Sequence, residues 1–65
     1  MKAYELEYGK EYTYPGMSAN NRLVYNGREG KKHCFSIYVK AEGKEMLGYR
    51  SWMSEKQIEN LTEKK

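Results

Sequence analysis

Between Lys32 and Ala41 the chain alternates with a period of two: Phe35, Ile37, Val39 and Ala41 fall on one side, and Cys34, Ser36, Tyr38 and Lys40 on the other. A segment of this period, rich in β-branched and aromatic residues, reads as a strand with one face on a core. Asn21–Tyr25 carries the same signal, with Leu23 and Tyr25 set against Arg22 and Val24. It runs into Asn26-Gly27, a hairpin dipeptide whose residues tolerate positive φ, and the turn extends to Gly30 at the furthest. Glu42-Gly43-Lys44 is a second tight turn, after which Glu45–Met53 returns antiparallel. Of its two faces, Leu47, Tyr49, Ser51 and Met53 are expected to meet the core, leaving Met46, Gly48, Arg50 and Trp52 outside.

The ends of the chain are read the same way. Ala3–Tyr8 alternates Tyr4, Leu6 and Tyr8 against Glu5 and Glu7, and predicts a first strand that Gly9 interrupts. Glu11–Tyr14 resumes it, with Tyr12 and Tyr14 on one side, until Pro15-Gly16 makes a turn and Met17–Asn21 a loop. Ser54-Glu55-Lys56-Gln57 has the form of a capping box, with Ser54 as N-cap. Ile58 and Leu61 then admit either a short helix or a 3-10 turn over Ser54–Gln57 followed by a last strand over Ile58–Thr62; the second is preferred. Residues 1–62 are expected to form a single small β domain and residues 63–65 a disordered tail.

Sixty-five residues bury only roughly 60% of their unfolded surface, so the core is marginal. Cys34 is the only cysteine, which rules out an intrachain disulfide and fits a reducing compartment. His33 and Cys34 are the only soft metal ligands, too few for structural zinc, and no cofactor is expected. Good packing or self-association remains, so a homodimer, for instance one that pairs exposed strand edges, is a candidate state. The acidic N-terminal stretch has no apolar leader, and no run approaches the roughly 20 apolar residues of a membrane span; the expected location is the cytoplasm, with no membrane partner.

Catalytic constellations fail one by one. His33 and Cys34 are adjacent, so a strand points them to opposite faces and denies them a nucleophile–base contact. Glu5 and Glu7 share a face but have neither Asp nor His beside them. Asn26–Lys32 holds two glycines and three cations, Arg28, Lys31 and Lys32, without the spacing of a phosphate loop. It reads as a basic loop. The chain is therefore expected not to be an enzyme.

Laid end to end, these features resemble the Src-homology-3-like barrels: a tyrosine-rich first segment (Ala3–Tyr8), a long first loop (Pro15–Asn20), two tight hairpins, and Ser54–Gln57 leading into the last segment. The resemblance implies a small five-stranded antiparallel barrel or bent sheet with a 3-10 turn or short helix near the C-terminus. It covers most of the chain as a layout. The paired tryptophans and the proline of the peptide-binding members are missing from the matching positions, where Ser54 stands in place of the proline. The looser group of small barrels from bacteria and phages is the better comparison, and fold alone leaves the partner open.

The candidate site is then a face. If Phe35, Ile37 and Val39 point inward, Tyr38 and Lys40 point outward, next to Arg50 and Trp52 of the following strand, with Arg22 alongside. Seven tyrosines and one tryptophan, with twelve Lys and Arg against nine acids (all Glu) for a net charge of +3, suit a contact surface. Trp, Tyr and Arg dominate protein hot spots. The same set can stack bases and grip phosphates, so nucleic acid is the alternative partner to a protein that the chain would bind or regulate.

Overall fold

The computed structural model describes residues 1–64. Five antiparallel strands form one sheet in the order β4-β3-β2-β1-β5: β1 is Glu11–Thr13, β2 Asn21–Glu29, β3 Lys32–Ala41, β4 Lys44–Met53 and β5 Thr62–Glu63. β4 and β5 are the two free edges, so the bent sheet is not closed into a barrel.

β3 pairs β2 on one side and β4 on the other. Tyr25 pairs with Phe35 and Leu23 with Ile37, and Tyr12 pairs with Leu23 from β1, so these side chains share one face. They are buried there together with Ile58 and Leu61. The Tyr12 ring meets Phe35 edge-on at 6.3 Å, and Tyr25 lies 5.2 Å from Phe35. Burying rings and aliphatic chains in this way is the main source of stability in a domain this small.

The C-terminal cover is a one-turn helix α1, Glu55–Ile58, and not a 3-10 turn. Its capping box forms as the sequence suggests: the Ser54 N–H donates to Gln57 Oε1 at 2.9 Å and the Gln57 N–H to Ser54 Oγ at 3.4 Å. β5 follows at Thr62–Glu63 and shares only Thr62 with the expected strand Ile58–Thr62, whose first residue belongs to α1. Glu63 pairs with Tyr12 within it, and the Lys64 N–H donates to Glu11 O at 3.1 Å. The expected tail is thus engaged up to Lys64, and Lys65 lies outside the described residues.

Three expectations are corrected. Ala3–Tyr8 is not a strand: Ala3–Glu5 is a 3-10 turn, η1, closed by the Lys2 N–H donating to Glu5 Oε1 at 2.7 Å, and Tyr4 and Tyr8 are 87% and 76% exposed. A local side-chain cap has outcompeted a ladder that had no partner strand. Asn26-Gly27 is not the hairpin turn. β2 continues to Glu29, Glu29 pairs with Lys32 across Gly30-Lys31, and Asn26 is the extra residue of a bulge between Tyr25 and Gly27. The third correction concerns β4. Ile37 pairs with Tyr49 but Tyr38 pairs with Leu47, so Gly48 is a second bulge and the two faces exchange there. Leu47 therefore lies on the outer face, and Tyr49, although on the core side by register, is 58% exposed. A side chain at Gly48 would stand 2.7 Å from Val39 Cγ2, a close approach that only glycine permits. The turn before β4 matches expectation: Glu42 and Gly43 both take positive φ, 53° and 78°, as a right-twisted hairpin requires.

Candidate functional surface

The face opposite the core is defined by register. β3 presents Cys34, Ser36, Tyr38 and Lys40, and pairing sets these beside Trp52, Arg50, Leu47 and Glu45 of β4, with Arg22 of β2 beside Tyr38. The five residues singled out from the sequence, Arg22, Tyr38, Lys40, Arg50 and Trp52, thus lie on one side of three adjacent strands. Cys34 and Ser36 are buried and form the floor. His33, next to Cys34, is on the other side, with Nδ1 2.9 Å from Tyr25 Oη.

The five are not equivalent. Arg22 is committed within the chain: one guanidinium nitrogen lies 3.2 Å from Glu11 and another 3.1 Å from Glu45, and its Cζ sits 5.1 Å above the Tyr38 ring. Its Nε is buried with no hydrogen-bond partner among the described residues. Arg22 is a cross-strand brace and not a free cation. Trp52 is 45% exposed and donates its indole N–H to Glu29 Oε2. Lys40 and Arg50 form no ion pair among the described residues and are exposed.

The basic loop does not form a cluster. Arg28 pairs with His33 on the core side, its Nε donating to Gly30 O at 2.7 Å, whereas Lys31 is in the turn and Lys32 pairs with Glu29. Arg28 and His33 open instead onto a hollow of about 470 Å³ whose wall includes Lys2, Glu55 and Glu59. Burial raises the Tyr25 hydroxyl above its usual pKa, and the charge of Arg28 opposes that rise. Away from this face, Lys10 is raised by its hydrogen bonds to Glu63 and Glu7, each at 3.1 Å. Among the described residues no three His, Cys, Asp or Glu side chains gather as metal ligands, and no helix is long and apolar enough to cross a membrane.

Sequence reasoning missed part of the apolar surface. Leu47 and Tyr49, expected at the core, are 50% and 58% exposed; with Met46 and Trp52 they line β4 on both faces. No composition signal separates these residues from core, because alternation reports a strand whether or not anything covers it. It also missed Glu11, Glu29 and Glu45, acids whose partners are distant in sequence. No protein family, curated protein or solved structure matches this chain.

Proposed function

We propose that the chain is a non-catalytic protein-binding module, a regulatory or inhibitory accessory protein, and that it contacts its partner through the outer face of β2–β4. The observation that carries this reading is the exposure of Leu47 and Trp52 on that face of β4, with Met46 and Tyr49 exposed on its other side. Contiguous exposed apolar groups rimmed by polar ones mark interaction surfaces. Tyr38, Lys40 and Arg50 supply the polar rim. The charge pattern favours protein over nucleic acid: Arg22 is neutralised by Glu11 and Glu45, and a carboxylate sits on the indole of Trp52, where a phosphate would be repelled.

A photo-crosslinking side chain placed at Leu47 or Lys40, and at Lys56 as a control, tests this in extract of the source cell. Protease-sensitive adducts at Leu47 and Lys40, absent at Lys56, are the expected result. Nuclease-sensitive adducts would replace the reading with the nucleic-acid one, and equal labelling at all three positions would end it.

A further inference from the structure

We infer that β4 is also a self-association edge: β4 of one copy pairs antiparallel with β4 of a second copy about a two-fold axis between Leu47 and Gly48, with Glu45 opposite Arg50 of the partner subunit. The inference does not depend on the identity of any other partner.

The Lys40 N–H donates to Asn20 O, toward β2, so by alternation Val39 and Ile37 direct their backbone groups toward β4. Register pairs them with Met46 and Tyr49. Glu45 and Arg50, one position outside each, therefore turn their N–H and C=O groups to the open edge, where the strand order places no neighbour.

Next comes parity. In an unbroken strand, residues five apart lie on opposite faces. The extra residue Gly48 cancels that offset: Glu45 pairs with Lys40 and Arg50 with Ser36, both on the outer face. A two-fold axis normal to the sheet then sets Glu45 against Arg50 of the partner subunit twice, and Met46 against Tyr49 of the partner subunit twice. It also places Leu47 over Gly48 of the partner subunit, where there is no side chain to obstruct it. Sliding the register by two residues in one direction puts Arg50 against Leu47, and in the other against Gly43; either way Glu45 is left without a cation. Arg50 has no ion-pair partner among the described residues, and Glu45 uses only Oε1, on Arg22. Opposite charges facing each other across strands stabilise the pair, and like charges destabilise it. An isologous contact of this kind closes at two copies and leaves no open-ended stack.

Sedimentation velocity over a concentration series, on the whole chain and on E45R, R50E and E45R/R50E, tests this. The wild type is expected to show a monomer–dimer equilibrium, and each single reversal to raise the dimer dissociation constant by roughly tenfold. The double reversal and an equimolar mixture of the two single variants should both restore it, since the mixture again sets Arg against Glu at each position. A wild type that stays monomeric throughout, or a mixture that fails to associate, would overturn the proposal. E45R also loses the contact to Arg22, so hydrogen exchange on the unsubstituted chain is the second measurement. Amides of Glu45 and Arg50 should gain protection with concentration while those of Met46 and Tyr49 do not change; protection that does not depend on concentration would overturn the register.

Discussion

The two halves of the meander carry the same alternating pattern and meet opposite fates. At one end Leu23, Tyr25, Phe35 and Ile37 lie beneath Tyr12, Ile58 and Leu61. At the other, Met46, Leu47 and Tyr49 project from the β3–β4 hairpin and are exposed, with no cover among the described residues. The difference is the cover: Ile58 and Leu61, with Met1, Ala3 and Leu6, pack against the first cluster, and Met46, Leu47 and Tyr49 belong to no buried cluster among the described residues. Alternation makes a strand; a third element makes a core.

That contrast is broken most severely at its buried end. Phe35→Ala is expected to cost about 3–5 kcal/mol, because Phe35 is fully buried between Tyr12 and Tyr25. In a domain of this size such a loss leaves little folded protein, which circular dichroism would register as a melt at or below room temperature.

Tyr25→Phe is expected to cost about 1–3 kcal/mol in urea titrations, since it strips the buried His33 ring of its partner. The same hydroxyl gives an alkaline signature. Its folded pKa is above the unfolded value of 10.0, so the folded state holds this proton more tightly. The corresponding stability is complete below that value and is lost as pH rises through the folded pKa. Unfolding curves above pH 10.0 should therefore fall less steeply for Tyr25→Phe than for the wild type.

At the boundary between the halves, Gly48→Ala is expected to cost about 1–2 kcal/mol through its approach to Val39. The double variant with Val39→Ala should recover part of that loss in thermal melts, because the obstructing atom is a side-chain methyl group. Smallest of all is Tyr49→Ser, expected to change the stability of dilute protein by less than about 0.5 kcal/mol. A loss as large as that at Phe35 would mean that the hairpin is covered after all.

Much of the fold is legible in the sequence because β3 has a single workable periodicity and its neighbours copy it. The gathering of Arg22, Tyr38, Lys40, Arg50 and Trp52 on one face was legible for the same reason. What was hidden turns on choices between local alternatives of similar energy. Asn26-Gly27 and Gly30-Lys31 both make acceptable turns, and only the pairing of Phe35 with Tyr25 selects the second. Glu5 looks like a solvated charge until it accepts the Lys2 backbone N–H, which closes a turn and removes the first strand. The exchange of faces at Gly48 was invisible because it depends on the position of Val39 across the hairpin.

The guanidinium of Arg22 has a consequence for how the sheet comes apart. It touches Glu11 on β1, Tyr38 on β3 and Glu45 on β4 from its own place on β2. The four strands are thus laced crosswise at the very end that lacks a cover. Peeling the outermost strand there breaks the hold of the Glu45 carboxylate on Arg22 as well as the ladder, so fraying of the hairpin also loosens a contact that reaches the interior of the sheet.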